Sequence, residues 1–310
     1  MSDNLTGAGD FGAADQVSRL MHNDGHGHFT VVGANVFAGG ERGIVTSAAF
    51  ADLNGDGWPD LVVAGEWMGV QVFYNHKGVF RKQEIGGSSG LWQSVAIADV
   101  NGDGYPDILA GNWGHNSKLY AGKDGPLKLY VKDFEGAGST EQVLTYTIGG
   151  TEYPFLGKDQ LELALPLLKH THLRYDEVAG KSVQYLLGGL LDGSRVFTAE
   201  RLASTCFLND GKGNFLPVDL PWALQLAPIF SFAATDSTSW LAAGNFYGVQ
   251  PFEGRYDAMS PSVFAYDKGT QQIRYVDELP AIGGEFRDAK WVRGANGRRM
   301  LVLARNNAGL

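Results

Sequence analysis

The sequence predicts an all-β protein, a β-propeller of about five recognisable blades with a small α-helical insertion. Three observations lead to this prediction. The 310-residue chain contains 43 glycines and 12% aromatic residues, which is typical of short strands joined by tight turns. Two kinds of hairpin alternate along the chain, and an acidic motif occurs twice. Two hairpins make a four-stranded blade, so their alternation indicates radial repetition of blades.

The first kind of hairpin, called the inner hairpin, carries the acidic motif. The stretch ADLNGDGWPDLVVAG (51–65) recurs as ADVNGDGYPDILAG (98–111), and an apolar, strand-like run lies on each side of both acidic loops. Weaker copies at 129–150, 230–248 and 286–308 keep the strands but change or lose the loop. We therefore expect these segments to form one inner hairpin each.

The second kind, the outer hairpin, joins two strands through an Asn/Asp/Gly turn that supplies the positive φ of a tight hairpin. It occurs at 19–32, 72–83, 205–218 and 263–276. The acidic loops at Asp99 and Asp133 follow closely on one another, which predicts a short second blade and assigns 205–218 to the third. The chain starts on an outer hairpin and ends on an inner one. These two hairpins either pair into one blade that closes the ring, or the chain is an open fragment of a larger propeller.

One segment departs from the strand pattern. Residues 158–187 are rich in Leu, Lys and Glu, and Leu161, Leu165 and Leu168 have the spacing of one helical face. Val178, Tyr185 and Leu186 form a possible second face. We expect two or three short helices inserted in the third blade of a single domain spanning 1–310. Their exposed side is either a cap on the propeller rim or a docking surface for a partner.

Charge and cysteine content exclude several classes of protein. The net charge of −9 argues against a nucleic-acid partner and suits a protein that attracts cations. Cys206 is the single cysteine, so we expect no intrachain disulfide and no cysteine metal site, but a buried strand thiol. No apolar run reaches the length of a membrane span, and the polar start MSDNLTGAGDFG lacks the core of a signal peptide.

The two acidic loops have the composition of calcium sites. Calcium takes about six to eight oxygens, and a short loop supplies them when alternate residues point inward. The loops offer side chains at positions one, three, five and nine and a backbone carbonyl at seven. The predicted ligands are Asp52, Asn54, Asp56, the Trp58 carbonyl and Asp60, and then Asp99, Asn101, Asp103, the Tyr105 carbonyl and Asp107.

A third loop is a weaker candidate for the same ion. Asp133, Glu135, Ser139 and Glu141 occupy the corresponding positions, but Ala137 stands at position five. Alanine offers no side-chain oxygen, and the longer Glu side chains fit the short turn less well. We therefore expect the loop at Asp133 to bind calcium weakly or not at all.

At these residues the chain resembles a known family. DLNGDGWPDLVVAG and DVNGDGYPDILAGN are similar to FG-GAP/VCBS repeats, the calcium-bound propeller repeats also found in integrin α subunits. GLWQSVAIADVNGDGYPDILAGNWGHNSKLY, VKDFEGAGSTEQVLTYTIGGTEYP and AGNFYGVQPFEGRYDA resemble, more narrowly, exported bacterial VCBS-repeat proteins associated with ASPIC/UnbV domains. The resemblance covers roughly residues 40–310.

The resemblance implies a calcium-stabilised propeller on the extracytoplasmic side, whether secreted, periplasmic or at the cell surface. Binding and adhesion are commoner than catalysis in such proteins. The chain lacks an ASPIC-like C-terminal segment, so the resemblance also implies a longer parent protein whose other domains are partners.

A ligand face is predicted at the end of the inner hairpins opposite the acidic loops. Aromatic rings, amides and a few charges collect there and suit sugar rings, or the aromatics simply pack between blades. The predicted face comprises Trp67, Asn112, Trp113, His115, Asn116, Asn245, Tyr247, Arg255 and Asp257. The chain then serves as a recognition or scaffold module for a glycan or protein. Two alternatives stay open: an enzyme acting on polysaccharide, as a lyase or glycosidase, and a purely structural module.

Overall fold

The computed structural model describes residues 19–32, 43–122, 124–249, 254–279 and 282–306. The strands in chain order are β1 (Met21–Asn23), β2 (Phe29–Val31), β3 (Ile44–Ala51), β4 (Asp60–Met68), β5 (Gln71–His76), β6 (Val79–Glu84), β7 (Gly90–Leu91), β8 (Ser94–Ala98), β9 (Asp107–Gly111), β10 (Leu127–Lys132), β11 (Glu141–Ile148), β12 (Thr151–Pro154), β13 (Arg195–Ala199), β14 (Thr205–Asn209), β15 (Phe215–Asp219), β16 (Ile229–Ala234), β17 (Ser239–Gly244), β18 (Ser262–Asp267), β19 (Gln272–Glu278), β20 (Phe286–Arg293) and β21 (Arg299–Arg305). The all-β, propeller-like fold class is confirmed, since the strands form several four-stranded antiparallel sheets.

Within the ranges that the structure describes, helical structure is confined to short segments. They are α1 (Lys158–Ala164) and α2 (Val183–Leu187), with 3₁₀ turns at Pro166–His170, Tyr175–Glu177, Gly188–Leu191 and Trp222–Gln225. Both α-helices lie within the predicted insertion. Among the described residues, no helix has the length and apolar character needed to cross a membrane.

The chain divides into two compact units. One comprises the described residues of Met1–Ile44 and Leu119–Arg201, and the other those of Val45–Lys118 and Leu202–Leu310. The larger unit contains three sheets, each with four strands that follow one another in chain order: β3-β4-β5-β6, β8-β9-β14-β15 and β16-β17-β18-β19. The short β7 joins the first sheet as a fifth strand, beside β4. The larger unit also contains the hairpin β20-β21. Each set of four strands therefore joins an inner hairpin to an outer one, as a propeller blade does.

The second of these sheets corrects the predicted assignment of one outer hairpin. β14 pairs with β9, with Cys206 opposite Leu109 and Phe207 opposite Ile108, so the hairpin at 205–219 completes the second repeat. The second blade is therefore not short. The strands that complete it come after residues 119–201, which belong to the other compact unit. Tertiary hydrogen bonds, described below, connect this hairpin to the loop before β9.

Neighbouring sheets of the larger unit pack through their inner strands, β4 against β8, β8 against β16 and β16 against β20. Gly111 in the repeated Ala-Gly pair of β9 makes a close approach to the next sheet possible, because a Cβ there would lie 2.3 Å from the Ile229 carbonyl oxygen of β16. At Gly244 in β17 a Cβ would lie 1.7 Å from the Pro228 carbonyl oxygen, just before the paired strand β16 of the same sheet. The apolar core fills the space between the sheets. Its residues include Trp92, Ile108 and Phe207, and Cys206 is the predicted buried thiol.

The smaller unit contains a sheet with a different strand order, β12-β11-β10-β13, and the hairpin β1-β2. The third repeat therefore provides β10 and β11, but β13 joins at the side of β10 instead of following β12. The helical segment packs on this sheet through a cluster that includes Phe134, Val143 and the predicted face Leu161, Leu165 and Leu168. The second predicted face is only partly formed, because Leu186 is buried whereas Tyr185 is exposed.

Candidate metal centres and recognition surface

The first acidic loop joins β3 to β4 and wraps its backbone around Asp52. The Asp52 carboxylate accepts hydrogen bonds from the backbone N–H groups of Gly55 (2.8 Å), Asp56 (3.1 Å) and Gly57 (2.8 Å). Gly55 and Gly57 have φ values of 74° and 84°, which favour glycine. The motif thus folds into a tight loop whose carboxylates point toward its interior and its backbone amides.

The second acidic loop has the same five hydrogen bonds from backbone N–H groups to side chains as the first. Asp99 accepts from Gly102 (2.8 Å), Asp103 (3.1 Å) and Gly104 (3.0 Å). In both loops the amide at position three accepts from the N–H at position five at 3.0 Å, and the carboxylate at position five accepts from the N–H at position seven at 2.9 Å. The same nine-residue pattern therefore gives the same local structure twice.

The carboxylates at position nine, Asp60 and Asp107, have a different role from the others because they are fully buried. Each accepts a backbone N–H from its own loop, Leu53 at 3.0 Å or Val100 at 2.8 Å. Each also accepts a backbone N–H from the outer hairpin of the same sheet, from Asn75 or Asn209, at 2.8 Å in both cases. These carboxylates therefore connect the inner hairpin to the outer hairpin.

Burial is the largest influence on the pKa values of the Asp60 and Asp107 carboxyls. It raises the pKa of Asp107 to about 6, against the hydrogen bonds from the Asn209 and Val100 amides, which lower it. Burial also raises the pKa of Asp60, and the nearby charges of Asp56 and Asp52 add to this shift. The loops thus hold carboxylates close enough to repel one another.

The chemistry of the donors fits a hard cation. Each loop presents two carboxylates and one amide within five residues, at Asp52, Asn54 and Asp56 or at their counterparts Asp99, Asn101 and Asp103. The carboxylate at position five is exposed in both loops, and the one at position one is half-buried. Oxygen ligands of this kind suit calcium. In the parts of the chain that the structure describes, no three His, Cys, Asp or Glu side chains gather as a metal cluster. The carboxylates of Asp60 and Asp107 accept hydrogen bonds from backbone amides and do not join the other ligands in a cluster. Calcium binding by these loops therefore stays a prediction.

The third acidic loop keeps the backbone hydrogen bonds to its first aspartate, but its other carboxylates bond groups in different directions. Asp133 accepts from Ala137 (3.0 Å) and Gly138 (2.8 Å), and these amide bonds, Gly138 first, hold the pKa of Asp133 below its ordinary value. Glu141 replaces the buried aspartate and accepts from the Phe134 N–H at 2.8 Å and the Ser139 hydroxyl at 2.8 Å. Glu135 turns away and accepts from the Leu167 N–H at 3.0 Å.

Four residues of the predicted ligand face are buried, contrary to the expected exposure. Trp67 lies in β4, whose nine residues are all buried. The Trp113 ring packs edge-on against Phe246 and Tyr256, with centroids 5.4 Å and 5.3 Å away.

The two asparagines among these four hold backbone groups. Asn112 Oδ1 accepts from the Trp113 N–H at 2.8 Å, and the Asn245 side chain bonds Met259 and Gly284. The aromatics of the repeat motif therefore pack between elements of the fold, and its amides support the backbone.

The other members of the face are exposed: His115, Asn116, Tyr247, Arg255 and Asp257. The Arg255 guanidinium lies 5.1 Å from the Tyr247 ring centroid. The His115 ring stacks on Trp222 with centroids 6.1 Å apart and planes 14° apart. Asn116 Nδ2 donates to the Leu226 carbonyl at 3.1 Å, which connects the loop after β9 to the end of the 3₁₀ turn at Trp222–Gln225.

Sequence reasoning missed Trp222, which is 65% exposed. It lies outside every repeat, and its one local signal is the preceding Pro221, which starts the 3₁₀ turn. We call the two exposed pairs, His115 with Trp222 and Tyr247 with Arg255, the aromatic surface.

Comparison with known proteins finds a repeat family that matches the first third of the chain. The family model described as FG-GAP-like repeat matches residues 7–63 and 52–110. The second match begins at Asp52, the first residue of the first acidic loop, and ends in β9, the strand that follows the second acidic loop. No curated protein matches the chain significantly.

Proposed function

We propose that this chain, which carries FG-GAP-like repeats, is a calcium-stabilised recognition module that acts outside the cytoplasm on a glycan or protein ligand. The observation that carries the calcium part is the correspondence of the two acidic loops. The same five backbone hydrogen bonds occur in both, around the same carboxylates. A shared frame that orients like charges toward one another is expected where a cation neutralises them.

Calcium adds stability by binding only the folded loops. If the dissociation constant of each loop is on the order of 10⁻⁴ M, millimolar calcium adds about 1.4 kcal/mol per site to the free energy of unfolding. Asp52, Asn54 and Asp56, the Trp58 carbonyl and their counterparts in the second loop supply the ligands. Asp60 and Asp107 either approach the ion or hold the loop backbone around it.

The aromatic surface supports the recognition part. Trp222 and Tyr247 are exposed rings held in place by His115 and Arg255. Exposed, oriented rings beside hydrogen-bonding groups suit the C–H faces and hydroxyls of sugars. A single stacked ring contributes on the order of 1 kcal/mol, so useful affinity needs several contacts.

Depletion of a glycan panel by the purified chain, with analysis of the products, tests this function against its alternatives. A recognition module retains an intact glycan. Cleaved products would instead indicate an enzyme acting on polysaccharide. If the chain retains no glycan and no protein ligand, a structural module whose partner is another domain of a longer protein would replace the proposal.

A further inference from the structure

A second candidate recognition site lies in the smaller unit. A groove of about 460 Å³ is lined by residues of the β11–β12 hairpin and of the helical segment that follows it. Its volume lies in the range of ligand pockets in proteins. We call it the tyrosine groove, after Tyr146, Tyr153 and Tyr175 in its lining. Lys158, Asp159 and Lys181 also line it.

Tyr175 is an exposed ring that is fixed at two points. It is 65% exposed, and its hydroxyl contacts both carboxylate oxygens of Asp159, at 2.9 and 3.0 Å. The Lys158 ammonium lies 5.5 Å from the ring centroid and forms an ion pair with Glu162. Holding an exposed aromatic ring in this way lowers the entropy lost when a ligand stacks on it.

A pair of tyrosines adds further aromatic surface to the groove. Tyr146 on β11 and Tyr153 on β12 are cross-strand partners, with ring centroids 6.0 Å apart, and both are partly exposed. Pairs of this kind hold each other in position on one face of a sheet. The groove therefore combines three tyrosine rings with hydroxyl, carboxylate and amine groups.

The charges of the groove favour a neutral ligand. Glu162 neutralises Lys158, and its hydrogen bond raises the pKa of that lysine, so the ion pair persists. Asp159 is occupied by the Tyr175 hydroxyl, and Lys181 lies 5.4 Å from the ring centroid of Tyr185. Counted with Glu162, which pairs with Lys158 from outside the lining, the two lysines are balanced by two carboxylates, which gives no net attraction for a phosphate or an acidic sugar.

We propose that the tyrosine groove binds a short stretch of a neutral oligosaccharide, with one sugar ring stacked on Tyr175. The inference rests on the proposed recognition role and gives that role a second site. The Tyr146–Tyr153 pair contacts the adjoining sugar, and the Asp159 carboxylate accepts hydrogen bonds from its hydroxyls.

Calorimetric titration of the full chain in calcium tests this site. The probes are cellohexaose, maltohexaose, xylohexaose and mannohexaose, with an oligogalacturonate as the acidic comparison. We expect one neutral oligosaccharide to bind with a millimolar or lower dissociation constant, and the acidic one to bind more weakly. Tyr175→Ala should weaken binding about tenfold, whereas Tyr175→Phe should change it less than threefold, because the ring remains.

Tyr185→Ala is the matched control. Tyr185 is another exposed tyrosine of the same helical segment beside a lysine, but it does not line the groove. Its removal should leave binding unchanged, and the melting temperature of each variant checks folding. Binding that survives Tyr175→Ala would overturn the groove while leaving the recognition role intact. The absence of binding by every neutral probe, or tighter binding of the acidic one, would overturn this inference but not the calcium-linked stability.

Discussion

Asp107 and Asn209 join an inner hairpin to an outer hairpin that lies 102 residues further along the chain. The buried Asp107 carboxylate accepts the Asn209 N–H at 2.8 Å. The Asn209 side chain in turn donates to the carbonyls of Leu53 (2.8 Å) and Pro106 (3.0 Å). Asp60 and Asn75 form the same contact within the first repeat, 15 residues apart. The same contact therefore accompanies the union of inner and outer hairpins in both repeats, whatever their separation in sequence.

Replacing Asn209 tests the energy of the side-chain part of this connection, since alanine keeps the backbone N–H that Asp107 accepts. Asn209→Ala leaves two carbonyl groups of the buried loop region without their donor, which should lower the free energy of unfolding by about 1–3 kcal/mol. Asn214→Ala is the control, since Asn214 lies in the same hairpin and its amide bonds the exposed Asp210 at 2.8 Å. Urea denaturation should show a clear loss for Asn209→Ala and almost none for Asn214→Ala. Equal midpoints for the two variants would contradict the assigned role.

Replacing tryptophans separates recognition from packing. Trp222→Ala should leave thermal stability nearly unchanged but weaken ligand binding about fivefold, because an exposed stacking ring is lost. Trp113→Ala should instead cost about 3–5 kcal/mol, since it empties a buried position. Leu216→Ala, at the same 65% exposure as Trp222, is the control for the loss of exposed apolar surface. Unchanged binding by Trp222→Ala would remove Trp222 from the aromatic surface.

The third loop should contribute little to calcium binding. Asp133→Ala should lower the melting temperature by the same amount with calcium and with chelator, because Asp133 supports the backbone through Ala137 and Gly138. Asp103→Ala should lower it mainly in calcium. Differential scanning fluorimetry in both conditions gives the comparison. A calcium-dependent loss as large for Asp133→Ala as for Asp103→Ala would show that Glu135 leaves Leu167 to complete a third site.

Local sequence was sufficient to predict the acidic loops, because Asp52 and Asp99 bond only residues within the next five positions. It was also sufficient for the alternating hairpins and the helical face of Leu161, Leu165 and Leu168. The partner of β9 was not predictable in this way, since residues 119–201 intervene and the Asp107–Asn209 bond is tertiary. The burial of Trp67 and Trp113 depends on which elements pack over them, and a repeat pattern does not specify that.

Calcium titration of chelator-stripped protein tests the central claim most directly. Calorimetry should show two calcium ions bound per chain, one for each intact loop. Asp56→Ala and Asp103→Ala should each remove one ion, and the double variant should bind none. Asp236→Ala, which alters an exposed aspartate turn outside the acidic loops, should still bind two. The absence of calcium binding to the stripped protein, or unchanged stoichiometry in the double variant, would contradict the proposal that the two loops bind calcium.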